Sequence, residues 1–331
     1  MKTLADILRT NLAGREVAPL ARLLEIYDAE KDVAKCYSAF AYLSCAGAGG
    51  SQELAETMAH VIEGFYMATS THDDALDERD GHVQQHREEA SRNSYMILGD
   101  CFFVKIASSL ARATPLMPPS QREITLARFE QYMFDTAESQ IADERSHGRI
   151  PSPEEAVAQM KLRGGTWGRL SMQVPALAGG LGEEEAARLG DAGENMFMGL
   201  TVRDDLRDLR DDIRNQVLTL APALFLEKEH DETTLFRRPG NEVQVEALVD
   251  LLCSAGTIDT SLARGKAYTK RALAQLRTFL ENKDEMHWFL LQMIFRLTNK
   301  RIQEFTPEHV RTGKMGIGFS ALNEVLDAIE G

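Results

Sequence analysis

Apolar residues recur three and four apart along most of the chain, as in Leu4, Ile7, Leu8 and Leu12, or in Leu290, Met293, Ile294 and Leu297. That period puts them on one face of an α-helix, and strand-like alternation is scarce. Breakers interrupt the pattern at 46–50, 114–119, 148–153, 179–182 and 237–240, where Gly and Pro gather. The expectation is an all-α fold, a single large bundle of about ten helices joined by short loops. The helical domain is expected over 1–305. A C-terminal helical tail, 306–331, opens at Thr306-Pro307 and ends in an amphipathic stretch over 319–329.

Composition narrows the partners. The chain has 331 residues, enough for a sizeable core, and a formal charge of -14. Such an excess of carboxylate repels nucleic acid and anionic membrane surfaces and suits cations. Cys36, Cys45, Cys101 and Cys253 lie in apolar stretches without metal-ligand spacing, so they are expected to be buried thiols in a reducing compartment. Asp6 and Arg9 interrupt the start of the chain, and no run is expected to approach the roughly 18 apolar residues that cross a bilayer. A cytoplasmic protein without membrane insertion is the expectation.

Two acidic clusters stand out against this background. His72-Asp73-Asp74-Ala75-Leu76-Asp77 sets Asp73 and Asp77 one helical turn apart, and Val202-Arg203-Asp204-Asp205-Leu206-Arg207-Asp208 repeats the arrangement. Each follows an apolar turn, Phe65 to Ala68 and Met196 to Leu200. Like charges at this spacing repel, so each cluster calls for a counter-charge. Divalent cations could supply it, bridging carboxylates to phosphate oxygens. So could ion pairs with Arg79, Arg203 and Arg207 on a solvated acidic face.

The paired motifs, in this order, resemble those of the trans-type polyprenyl diphosphate synthases, which have the class I terpenoid (isoprenoid) synthase fold. Ile97 to Phe103 is similar to that family's Leu-Gly-Asp segment, and Ala137 to Asp143 to its Glu-Gly-Gln-x-x-Asp helix. The similarity spans about residues 33 to 301. It implies that Asp73, Asp74, Asp77, Asp204, Asp205 and Asp208 ligate magnesium, about three ions, which clamp an allylic prenyl diphosphate. It also implies a homodimer and a second prenyl acceptor.

The chain departs from the family where the acceptor diphosphate would be held. Only Lys35 survives of an early Gly-Lys-Arg, and Glu78-Arg79-Asp80 stands in place of paired arginines. Candidate replacements are Arg79, His86, Arg87, Arg163 and Arg169, with Arg296 matching a C-terminal arginine. The prenyl pocket is expected to use Phe65, Tyr66, Ala68, Thr69, Phe102 and Thr201. Small Ala68 and Thr69 one turn before Asp73, with aromatics a turn further back, suggest a substrate near C15–C20, since a turn of about 5.4 Å spans roughly one isoprene unit. Trp167, Trp288, Phe102 and Phe103 could offer ring faces to a carbocation. Prenyl transfer leads. A terpene cyclase or lyase is the alternative, and a non-catalytic subunit of a prenyl synthase a third.

Overall fold

The computed structural model describes residues 31–76, 92–229, 235–236 and 242–313. Its helices are α1 (Lys31–Gly47), α2 (Gln52–Leu76), α3 (Arg92–Ala113), α4 (Arg122–Ser146), α5 (Pro153–Met160), α6 (Thr166–Gly179), α7 (Glu183–Arg207), α8 (Leu209–Asn215), α9 (Leu220–Lys228), α10 (Glu242–Ser254), α11 (Thr257–Phe279), α12 (Met286–Glu304) and α13 (Pro307–Thr312). The all-α expectation holds, with no strand among the described residues. The breaks at 46–50, 114–119, 148–153 and 179–182 fall between helices or at their ends. Ser152 shows how local sequence sets such a boundary: its hydroxyl accepts from the Glu155 N–H, and Glu155 accepts from the Ser152 N–H, with Pro153 at the first helical position.

A closed ring of helices, α1, α6, α7, α11 and α12, packs neighbour on neighbour, with α2 laid against α1 and α6. Helix α2 is buried nearly all round from Leu54 to Ala68, which explains its apolar run. Between α5 and α6 the chain makes a π-helical turn, Lys161–Gly165. One extra residue in such a turn rotates everything before it, and such turns concentrate at functional sites.

Two expectations need correction. On α12 the buried face is Trp288, Leu291, Ile294, Phe295, Thr298 and Ile302, which shares only Ile294 with the stripe Leu290, Met293, Ile294 and Leu297. Runs of apolar residues blur the phase of a helix, and only packing against α1 and α11 resolves it. Second, the segment 92–116 is long and apolar enough to cross a membrane by length and composition, although no such run was expected. It buries Tyr95, Leu98, Phe102 and Ile106, and turns Ile97 (52% exposed) and Val104 (72%) outward.

The tail expected from residue 306 begins by folding back as α13 onto α10 and α11. Arg210 holds it there, donating to the carbonyls of Val310 (2.6 Å) and Arg311 (2.8 Å) while its fork grips Glu246 at 2.7 and 2.8 Å. The amphipathic stretch over 319–329 and the N-terminal periodicity around Leu4 lie outside the described residues.

Candidate active site

Helix α7 changes character along its inward face. Phe197, Leu200 and Thr201 give way to Asp204, Asp205 and Asp208, all lining one cavity of about 560 Å³. Their spacing keeps them on one side of the helix, so apolar and acidic walls share a single space roughly 16 Å long. Cys36, Tyr37 and Phe40 of α1, Tyr66 of α2, Arg163 and Gly164 of the π turn, Trp167 of α6, Arg207 of α7, Asp212 of α8 and Thr298 of α12 complete the lining. The buried side of the same stretch, Val202, Leu206, Leu209 and Ile213, anchors the acidic end in the core.

The apolar end is aromatic. Tyr37 stacks on Tyr66 with ring centroids 4.9 Å apart and meets Trp167 at 5.1 Å and Phe197 at 5.2 Å. Phe40 closes on Phe197 edge-on at 5.5 Å, and Phe65 backs Trp167 at 5.2 Å. Burial, reinforced by the nearby Asp204, pushes the Tyr37 hydroxyl up, so it stays protonated.

At the acidic end, carboxylates crowd the C-terminal turn of α7, where the helix dipole is itself negative. Asp205 is only 7% exposed. Arg163 pairs with its Oδ1, while Oδ2 is buried with no hydrogen-bond partner. Burial pushes the carboxyls of both Asp204 and Asp205 up. Burial, followed by the charge of Asp205, pushes Asp212 up to about 8. Arg207 spans the motif, its Nε and Nη2 donating to Asp208 at 2.8 and 2.6 Å and its Nη1 lying 3.2 Å from Asp204. Arg203 stands 3.4 Å from Asp204. The ion pairs weighed for Arg203 and Arg207 are therefore real.

Helix α4 links this end to the first motif. Gln140 donates to Asp73 Oδ1, and Asp143, one turn on, lines a small space with Arg163 and Asp205. A rise of about 4.5 Å along α4 thus separates contacts to the two motifs. Next to the first motif, a Cβ at Gly99 would lie 2.2 Å from the His72 ring, so only glycine lets α3 approach. His72 Nε2 then reaches the Met96 carbonyl at 3.1 Å and fixes the end of α2.

This architecture is shared with solved structures. A geranylgeranyl pyrophosphate synthetase from Pyrococcus horikoshii matches with a TM-score of 0.74 and 22% identity, covering 92% of this chain and 95% of that one. A decaprenyl diphosphate synthase from Rhodobacter capsulatus matches at 0.75 and 16%, covering 91% and 96%. A heptaprenyl diphosphate synthase from Staphylococcus aureus matches at 0.74 and 16%, covering 90% and 96%. The chain has the isoprenoid synthase fold. No protein-family model and no curated protein sequence matches it.

Within this isoprenoid synthase fold, the residues expected from sequence distribute unevenly. Asp204, Asp205, Asp208, Tyr66 and Thr201 line the cavity. Asp73 and Asp74 end α2 outside that lining, with Asp73 tied to Gln140. Phe65, Ala68 and Phe102 are packed in the core, and Thr69 donates back to the Phe65 and Tyr66 carbonyls. Trp167 lines the cavity, whereas Trp288 is buried against Phe279. Arg163 reaches the acids, but Arg169 turns to a separate groove, where it pairs with Asp191 and Glu194. Arg296 is exposed and absent from the lining, two positions from Thr298, which faces in. Lys35 lies on α1 with its side chain outside the described residues, as are Asp77, Arg79, His86 and Arg87 altogether. Tyr37, Phe40, Phe197 and Asp212 were not anticipated. The spacing of Asp208 and Asp212, one turn apart, was the available signal for the last.

Among the described residues no three metal-ligating side chains converge closely enough to hold an ion alone. The donor set nonetheless suits magnesium, a hard cation that takes a few carboxylates and fills its remaining positions with water and phosphate oxygens. The unpartnered Oδ2 of Asp205 is the specific opening for it. Asp204, Asp205 and Asp208 would hold it, with Asp73 and Asp74 across α4.

Gly164 gives a sharp test of how the cavity is built, because a Cβ there would fall 2.0 Å from Thr201 Oγ1. Gly164→Ala is expected to destabilise by about 1–3 kcal/mol through overpacking. Thermal melts should show most of that loss recovered in the double variant with Thr201→Ala.

Proposed function

We propose that the protein is a magnesium-dependent isoprenoid synthase that ionises an allylic prenyl diphosphate of about C15–C20 and transfers the prenyl cation to a second substrate. The observation that carries this reading is the polarity of one cavity: an acidic, guanidinium-bearing end one to two helical turns from a cage of aromatic rings. That shape suits a ligand with a multiply charged head and an apolar tail.

Each wall then has a task. Arg163 and Arg207 present planar forks to phosphate oxygens. Bound magnesium supplies neutralisation of the charge that develops on the leaving diphosphate. The carbon–oxygen bond opens with its electron pair on the diphosphate oxygen, and the cation is left among Tyr37, Tyr66, Trp167 and Phe197. Their ring faces attract it, and their packing keeps water away. An acceptor double bond captures it, and a proton leaves to the diphosphate.

A second reading, terpene cyclase or lyase chemistry, gains support from the same cage. Among the described residues Arg163 and Arg207 are the cations lining the cavity, and both are engaged with the acidic motif, which leaves no separate cradle for an acceptor diphosphate. Incubation with magnesium and C10, C15 or C20 allylic diphosphates, with and without isopentenyl diphosphate, separates the two. A longer diphosphate formed only with isopentenyl diphosphate supports transfer. A hydrocarbon or alcohol formed without it supports cyclisation or lysis. No turnover of any donor overturns both and favours the non-catalytic subunit.

The reading includes a cytoplasmic homodimer. Support for the dimer comes from outward apolar side chains on α3 and α4: Ile97, Val104, Phe134 (68% exposed) and Ile141 (53%). Water-facing stripes of this kind mark association surfaces. The double variant Val104→Glu, Phe134→Glu is expected to halve the mass measured by light scattering. An unchanged mass would place the interface elsewhere.

A further inference from the structure

Arg207 occupies an unusual place: it lies inside the second aspartate motif and satisfies two of its three carboxylates at once. All three guanidinium nitrogens are committed, Nε and Nη2 to Asp208 and Nη1 to Asp204. Asp212 adds to the negative field around it. The side chain is 41% exposed, so it is free to turn without unpacking the core. Arg163 differs, because its partner Asp205 is buried and the π turn fixes its approach.

We propose that Arg207 couples cation binding to diphosphate binding at this site: it holds Asp204 and Asp208 against a divalent ion arriving alone, and releases them by transferring its fork to the diphosphate oxygens. The proposal rests on the reading of the cavity as a metal–diphosphate site and deepens it. The physical basis is competition for the same oxygens. A guanidinium gripping a carboxylate bidentately occupies the lone pairs that a hard cation would use. Displaced with no other anion present, Arg207 would also be left a few ångströms from a doubly charged ion, an unfavourable pair at any effective dielectric. A diphosphate removes that conflict, since its oxygens accept the same planar fork. Linkage makes the effect reciprocal, so each ligand tightens the other by the same factor.

The consequence for function is protection of the site: a divalent ion without substrate leaves the motif in its ion-paired arrangement. Calorimetric titration of the full chain with magnesium chloride, with and without inorganic pyrophosphate, tests this on the wild type, Arg207→Gln, Arg207→Lys and Arg188→Gln. Arg188 pairs with Glu184 on the outer side of α7 and serves as the charge-matched control. Arg207→Gln is expected to take up magnesium alone on the order of tenfold more tightly than wild type, and to lose a similar factor of the pyrophosphate enhancement. Arg207→Lys, a point charge without the fork, should fall between them, and Arg188→Gln should match wild type.

Wild-type magnesium affinity in Arg207→Gln, or an undiminished pyrophosphate enhancement, would overturn the coupling while leaving the site intact. Failure of the wild type to take up magnesium even with pyrophosphate would instead overturn the metal–diphosphate reading itself. Should Arg207→Gln melt early, Arg207→Lys carries the comparison.

Discussion

Replacing Asp205 with asparagine is expected to lower consumption of an allylic prenyl diphosphate by about 10²–10³-fold, the usual loss when one preorganised electrostatic contact to a developing charge is removed. Asp205 is the most buried acid of its motif, and its Oδ2 is the one buried carboxylate oxygen of the described residues without a partner. Asparagine keeps the volume and leaves Arg163 an amide oxygen, and Arg163 is 45% exposed, so the fold should persist. Circular dichroism and diphosphate release, measured together, check both halves. Asp191→Asn is the matched control, since Asp191 pairs with Arg169 in the other groove. If the second motif were only a solvated acidic face, the two variants would be indistinguishable.

The second large effect is on stability. The Asp212 carboxyl is pushed from its ordinary 3.8 up to about 8, by burial first and by Asp205 next. Between roughly pH 4 and 8 the folded protein therefore holds a proton that the unfolded chain has released, so stability falls as pH rises through that window. Above it the whole penalty is present. Asp212→Asn has no charge to lose, and in a chelating buffer its melting temperature should decline less steeply over this range than that of wild type. After allowance for solvent screening, the gain above pH 8 is expected to be about 2 kcal/mol, or about 3 °C for a chain of this length. Parallel pH profiles for the two proteins would show that the acids of α7 and α8 do not crowd one another.

Much of this was legible in residue order, for identifiable reasons. Acids at positions one turn apart on an apolar helix signal a cluster without any knowledge of tertiary structure, and Asp204, Asp205 and Asp208 duly share a wall. The all-helical fold follows from the same periodicity. What escaped depends on helix phase and on partners distant in sequence. Tyr37 and Phe40 read as ordinary core residues until α1 is set against α7, where both meet Phe197. Arg296 and Thr298 are two positions apart, yet a helix turns about 200° between them, so only one can face the cavity. Arg163 and Arg169 looked alike as cations. The π turn and the crossing of α6 over α7 send the first to Asp205 and the second to Glu194. The prenyl wall was sought mainly on α2, with Phe102 of α3 and Thr201 of α7, whereas α1, α6 and α7 supply most of it.

A crystal structure of the protein grown with magnesium and inorganic pyrophosphate tests the central claim most directly, namely that both aspartate motifs serve one bound diphosphate. The account predicts pyrophosphate at the acidic end of the α7 cavity, with metal ions contacting Asp205 on one side and Asp73 or Asp74 on the other. Pyrophosphate seated instead in the groove of Arg169, or metal ions confined to one motif with the other facing solvent, would contradict it.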